Sequence, residues 1–201
     1  MTEVELKARV TDREQTAYKL DSFARRVRHV IRDDDYWGKS ADDRNKIRIR
    51  RELFLNKDGS TCRNDILVTY KRKAVVTGSD GVAIEANDEK ECSISDAAAL
   101  EAFLQDTGYH VQLKKHKDVE DWELELPKDS CPAQPLTATL ELCAVPPLGD
   151  FLEIEILSPS ADKDSLAKLH AELERLLALA GIPKEQIEPR TYSEMLSGIP
   201  S

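Results

Sequence analysis

The chain has 201 residues, of which 40% are apolar and 33% charged, with a net charge of −9. A chain this long can bury roughly 70% of its unfolded surface as one domain, and the lack of any low-complexity tract excludes a disordered one. The acidic balance excludes a general nucleic-acid-binding surface, which needs a basic stripe.

No run of about 18 apolar residues occurs, so no membrane span is expected. Acids at Glu3 and Glu5, with no apolar segment near them, argue against a signal peptide, and the expected location is the cytoplasm. Cys62, Cys92, Cys131 and Cys143 form no C-x-x-C pair and read as free thiols. His29, His110, His116 and His170 are scattered, and no HExxH, GxxxxGK[ST] or G-x-S-x-G stretch is present.

In chain order, Glu3 to Val10 alternates strictly, the period of a strand. Val4, Leu6, Ala8 and Val10 form one face; Glu3, Glu5, Lys7 and Arg9 form the other. Thr11-Asp12 is a helix N-cap, and Ala17, Leu20, Phe23, Ala24 and Val27 follow at helical spacing. Extended stretches run over 27–37 and through "KIRIRRE", where Lys46, Arg48 and Arg50 share a face. "NKDGS" (56–60) and "GSDG" (78–81) are turns, and between them Thr69, Lys71 and Lys73 are in phase. "AIEANDEKECSI" (83–94) carries Glu85, Glu89 and Glu91 in phase. Ser95 is the expected cap of a helix ending at Gly108. Strands follow over 110–119, "DWELEL", "LTATLELCAV" and "DFLEIEIL", the last with Glu153 and Glu155 on one face. A helix over 162–180 stops at Gly181 and Pro183, and a short helical tail follows Pro189.

This gives eight or nine strands in hairpins, with helices covering their apolar faces. A charged face on one strand is ordinarily solvated surface or a protected edge. Here acidic and basic faces recur on several strands. If the sheet closes into a barrel, they converge inside, where charges must be paired or bound to ions. Clustered carboxylates suit hard cations such as Mg²⁺ or Mn²⁺, and clustered Arg and Lys suit phosphate oxygens. Together they suit a polyphosphate carried with its metal.

The ordered motifs resemble the CYTH superfamily, the triphosphate tunnel metalloenzymes. Glu3, Glu5 and Lys7 match its opening E-x-E-x-K; Asp34-Asp35-Tyr36 looks like its D-x-Y strand; Arg48 and Arg50 resemble its R-x-R strand. Thr69 and Lys71 resemble T-x-K, Glu89 and Glu91 the central E-x-E, and Leu148 to Glu155 the late L-G-x-F-x-E-x-E stretch. The resemblance spans about residues 3–157. It implies a single α+β domain over 1–201: an eight-stranded antiparallel β-barrel, the triphosphate tunnel, over about 3–157, with C-terminal helices over about 161–197.

It also implies site residues. Arg48, Arg50, Lys71 and Lys73 would bind triphosphate oxygens, joined by Lys115 and Lys117 and by Arg190 from the C-terminal segment. Glu5, Glu153 and Glu155 would hold a divalent cation, Mg²⁺ or Mn²⁺, with Glu91 and Glu3 near. Lys7, Glu3 and Glu5 would serve the chemistry. Where the family usually has an acid, two residues before Val145, this chain has Cys143, and Glu141 on the same face is the candidate substitute. The expected reaction is that of a class IV adenylyl cyclase, ATP to cyclic AMP and pyrophosphate. The alternative is hydrolysis of the terminal phosphate of tripolyphosphate or thiamine triphosphate. Two further readings are a binding module without catalysis, which Cys143 favours, and a structural barrel of salt-bridged strands. The expected partners are a triphosphate small molecule and, as an option, a second copy in a homodimer; DNA and membrane are not expected. Tyr36 and Trp37 are the candidates to stack on a base, with a core role as the competing reading.

Overall fold

Strand β1 (Thr2–Val10) buries Leu6, Ala8 and Val10 on one side and leaves Glu3, Glu5, Lys7 and Arg9 on the other, as the alternation demands. The computed structural model describes residues 2–40, 45–77, 83–126, 135–160 and 162–198, and for 45, 71–77, 83–89 and 163 the backbone alone. The turn expected at 78–81, the Cys131 thiol and the side chains of Lys71, Lys73 and Glu89 lie outside the described residues.

Helix α1 (Arg13–Phe23) starts on Asp12, whose carboxylate accepts the Gln15 N–H at 2.9 Å. It ends one turn earlier than its apolar spacing predicts: Val27 already belongs to strand β2 (Arg25–Gly38), which the β-branched Val27, Val30 and Ile31 favour. Strands β3 (Asn45–Leu55) and β4 (Thr61–Thr77) flank the 56–60 turn, in which Gly59 takes φ +80°. Strand β5 (Ala83–Ile94) follows.

Helix α2 (Ala98–Asp106) has Ala97 at its N-cap position rather than Ser95; the Asp96 carboxylate accepts the Ala98 N–H at 3.0 Å and supplies the polar partner instead. Gly108, at φ +84°, ends α2 as expected, passing the chain on so that the Tyr109 N–H reaches the Leu104 carbonyl at 2.8 Å. The two stretches expected over 110–125 are one strand, β6 (His110–Glu125), because no turn residue separates them. Strands β7 (Thr137–Val145) and β8 (Gly149–Ser158) complete the sheet. Helix α3 (Lys163–Leu179), a 3₁₀ turn (Lys184–Gln186) and helix α4 (Tyr192–Ser197) end the chain.

The eight strands pair in the order β1-β8-β7-β6-β2-β3-β4-β5, and the ladders β1–β8, β7–β8, β6–β7, β3–β4 and β4–β5 are antiparallel. The eight-stranded antiparallel sheet with flanking helices expected from sequence is present; its strand order does not return on itself, so the sheet is not closed. Part of the free edge of β1 is taken by the C-terminal segment: Ala8 bridges Ile187, and the Glu188 N–H reaches the Lys7 carbonyl at 2.8 Å.

The chain divides into two compact units, Met1–Val30 with Lys117–Ser201, and Ile31–His116. In the first, Leu6, Leu140, Leu142, Leu152, Ile154 and Ile156 from the strands meet Leu169, Leu173, Leu176 and Leu177 from α3, with Leu20 and Trp122 in the same cluster. In the second, Trp37, Ile49, Ala97 and Leu104 form the core. Burial of Trp37 settles one reading: it is a core residue, not a stacking platform. Leu173 is fully buried while Leu179, on the same helix, is 44% exposed. Leu173→Ala should therefore cost about 2–5 kcal/mol and Leu179→Ala under about 0.5 kcal/mol, read by urea denaturation.

Candidate functional site

Residues directly opposed in an antiparallel ladder share a face. Lys7 lies opposite Glu153, Glu153 opposite Glu141, and Glu141 opposite Asp121. One row on, Glu5, Glu155, Thr139 and Glu123 are aligned in the same way. The polar face of the first unit is thus a grid of carboxylates drawn from β1, β6, β7 and β8. Lys117, in phase with Asp121 on β6, is set into it. Only 4% exposed, it donates to Glu153 at 2.6 Å and lies 3.5 Å from Glu141.

The electrostatics follow from this crowding. Burial works against the Lys117 ammonium, but the Glu153 and Glu141 carboxylates outweigh it and hold the group above the usual lysine range. Glu155 is pushed up to about 7 by burial and then by Glu3, Glu141, Glu5 and Glu153. Glu5 is raised by burial, Glu153 and Glu3, against Lys7 and Lys117. Beside Glu155 opens a cavity of about 360 Å³, lined also by Glu123, Thr137, Thr139, Leu136, Leu157 and Pro135.

Among the described residues no three Asp, Glu, His or Cys side chains converge closely enough to hold a metal ion. The donor set nevertheless fits a hard divalent cation: it is all carboxylate, and the mutual repulsion that raises Glu155 is what a cation relieves. Glu5, Glu141, Glu153 and Glu155 are the residues that would hold it. As the side chains stand, the Lys117 ammonium occupies the space between two of them.

Cys143 is fully buried, and burial pushes its thiol up to about 12, so it is neutral and adds no anionic ligand. Its sulfur lies 3.3 Å from the Tyr192 hydroxyl. The segment that carries Tyr192 also takes hold of β1. Glu188 accepts from Arg9 at 3.0 Å and from Arg190 at 2.7 Å, and the Arg190 carbonyl accepts from the Lys7 ammonium. The Arg190 backbone, not its guanidinium, is therefore what meets Lys7.

In the second unit, Asp34 is the anchor. Fully enclosed, it accepts from Arg50 at 2.7 and 3.0 Å, a two-pronged pairing, and lies 3.0 Å from the Lys115 ammonium. Burial works against the Asp34 carboxylate, but Arg50 and Lys115 hold it well below the usual range. Lys115 also donates to the Tyr36 hydroxyl at 3.1 Å. Arg48 donates to Thr69 at 2.9 Å and to Glu91 at 3.3 Å, while its buried Nε has no hydrogen-bond partner among the described residues.

The expected residues therefore fall into two sets. Glu3, Glu5, Lys7, Lys117, Glu141, Glu153 and Glu155 are gathered in the first unit, and Arg48, Arg50, Glu91 and Lys115 in the second. Sequence reasoning missed Arg28, which pairs with buried Asp121, and Arg32, which pairs with Glu52 at 2.9 Å. Both are in phase with Asp34 on β2, so the same alternation argument would have found them. Nothing local marked Glu188 or Tyr192 as partners of β1: Arg9 and Lys7, which they meet, lie more than a hundred residues away.

The CYTH domain model matches residues 1–192. No curated protein matches the chain. Among solved structures, it is similar to the PH1819 protein of Pyrococcus horikoshii OT3, at 26% identity and a TM-score of 0.66 over 98% of each chain. It shares its fold with a protein of Vibrio parahaemolyticus named a "putative adenylate cyclase", at 18% identity and a TM-score of 0.65 over 98% of each chain. It also shares it with HpAC1 of Hippeastrum, a "putative adenylyl cyclase" said to show a dominant triphosphatase activity. That likeness has 13% identity and a TM-score of 0.60, over 97% of this chain and 94% of the other. With its strand order, its paired charged faces and a family match over 1–192, the chain belongs to the CYTH domain family.

Proposed function

We propose that the chain is a divalent-metal-dependent enzyme that hydrolyses the terminal phosphate of a triphosphate. Triphosphate processing follows from its family. The choice of hydrolysis is carried by one observation: the aromatic rings on the polar faces are already covered by cations. Lys115 sits over Tyr36 at 5.5 Å, Arg9 over Phe151 at 4.9 Å, and Lys7 and Lys117 over Tyr192 at 4.5 and 5.1 Å. With Trp37 in the core, this leaves little for a nucleobase to stack on. A triphosphate read through its phosphates alone needs no such platform.

In this reading Arg48 and Arg50, with Lys71, Lys73 and Lys115, receive phosphate oxygens, and the open Nε of Arg48 is a donor waiting for one. Glu5, Glu141, Glu153 and Glu155 hold the cation, which when bound offsets phosphate charge. Water attacks the terminal phosphorus, the bridging P–O bond breaks, and its electron pair leaves on the diphosphate. The water proton passes to a carboxylate of the Glu3–Glu5 pair or to solvent. Lys7 steadies the entering or departing oxygen. Catalysis here is positioning and charge stabilisation, which these side chains supply.

The cyclase reading has one observation in its favour, the cavity beside Glu155, which has room for an organic group. There the ribose 3′-hydroxyl would attack the α-phosphorus and pyrophosphate would leave. One panel separates the two: ATP, tripolyphosphate and thiamine triphosphate with Mg²⁺ or Mn²⁺, measuring phosphate, pyrophosphate and cyclic AMP. Phosphate without cyclic AMP is the expected result. Cyclic AMP with equal pyrophosphate would replace it with the cyclase, and no turnover with tight binding would point to a module. Arg48→Ala should raise the KM for tripolyphosphate at least about tenfold, as loss of a charge-assisted contact does.

The crowding around Glu155 gives a second expectation. Its folded pKa of about 7 stands above the ordinary 4.5, so the folded state binds this proton more tightly than the unfolded state does. That contribution is full below about pH 4.5 and is lost as pH rises through 7. Discounted for solvent screening, the loss is about 1 kcal/mol. Glu155→Gln should accordingly stabilise the metal-free protein at pH 8 by about that amount and leave it unchanged at pH 4.5. Urea denaturation in EDTA at both values is the check; equal effects at the two would refute the repulsion.

A further inference from the structure

Lys117 is held unlike Lys7, the other lysine that meets this row of acids. It is 4% exposed, and its ammonium donates to Glu153 at 2.6 Å and lies 3.5 Å from Glu141. Those two acids stand directly opposite each other on β7 and β8. Lys7, opposite Glu153 on β1, turns instead to the Arg190 carbonyl and lies 4.5 Å from the centre of the Tyr192 ring. The space between Glu141 and Glu153 thus goes to the Lys117 ammonium.

An ammonium and a divalent cation cannot share that space. Carboxylate oxygens meet a hard cation at about 2.0–2.6 Å. Glu153 already meets the lysine within that range. A cation bridging the two acids would sit against the ammonium, where like charges repel strongly. The lysine is able to leave, because its charge is a point on a flexible stem. The acids around it are otherwise engaged. Asp121, in phase with it on β6, is paired with Arg28, and Glu5 and Glu155 belong to the set that would hold the cation. Cys143, in phase with Glu141 on β7, is a neutral thiol. An ammonium leaving the gap is therefore left for an anion from outside the chain.

We propose that Lys117 is an exchangeable counter-ion: its ammonium neutralises Glu141 and Glu153 in the metal-free protein, yields that space to a divalent cation, and then meets a phosphate. This rests on the functional reading that Glu141 and Glu153 are metal ligands. Lys117 then sets the threshold at which the site takes up a cation, and cation and phosphate each favour the other's binding.

The test uses the full chain with Mn²⁺ and tripolyphosphate as separate probes, read by titration calorimetry. Lys117→Met keeps a stem of similar length and deletes the charge. It should bind Mn²⁺ at least about tenfold more tightly than the wild type, since two ligands are freed and a like charge is removed. In EDTA its melting temperature should fall, because Glu141 and Glu153 lose their counter-ion. Mn²⁺ should raise that temperature by more than it raises the wild type's. If the variant does not fold, the wild-type chain carries the test. A limiting amine-acetylating reagent, with modified sites read by peptide mass spectrometry, should leave Lys117 protected in EDTA and modify it severalfold faster in saturating Mn²⁺. Exposed Lys184 should react alike in both. A Mn²⁺ affinity in Lys117→Met equal to or below the wild type's overturns the inference while leaving the functional reading intact. So does equal protection of Lys117 with and without Mn²⁺. A wild-type chain that binds neither probe overturns the functional reading and the inference with it.

Discussion

The ammonium of Lys117, buried between Glu141 and Glu153, is the interaction on which the polar face of the first unit depends. Carboxylates facing one another across β1, β7 and β8 would repel strongly in a setting screened from water. One fixed cation among them lowers that cost, and removing it would leave buried charges uncompensated, a loss of several kcal/mol. The compensation is incomplete by design of the strands. Lys117 touches the Glu141–Glu153 row, while in the Glu5–Glu155 row one step away burial, and then the surrounding carboxylates, push Glu155 up to about 7.

The second unit solves the opposite problem. There the basic side chains among the described residues are met by buried acids, Asp34 serving Arg50 and Lys115 together and Glu52 serving Arg32. Lys115 and Lys117 stand two residues apart on one strand and so share a face, yet they answer to different acids. The same period-two spacing thus supplies one lysine to each charge cluster. An arginine fixed two-pronged by a carboxylate is held rigid with its remaining donors available, which suits recognition of a planar or tetrahedral anion.

Most of this was legible in the sequence because alternation carries through a strand without reference to anything distant. Glu3, Glu5 and Lys7, Arg48 and Arg50, and Glu153 and Glu155 all lie on the faces their parity assigns. The strand spans also follow, down to β5 over 83–94. What was not legible depends on where the chain goes afterwards. The cap of α2 passed from Ser95 to Asp96 because two neighbouring polar residues compete for one donor, and local sequence does not rank them. The open edge at β1 depends on Ile187 and Glu188 arriving there after a long helix. No spacing rule relates residue 8 to residue 187.

Cys143 shows how one side chain redistributes charge without disturbing the fold. Its ladder position opposite Phe151 points it to the same face as Glu141. A carboxylate there would have been a third acid against Lys117 and would have drawn the ammonium away from Glu141 and Glu153. A neutral, buried thiol leaves both acids to share that ammonium, and it turns to Tyr192 for its one polar contact. The negative charge of this face is therefore concentrated on Glu5, Glu141, Glu153 and Glu155, with Lys117 as the cation set between two of them.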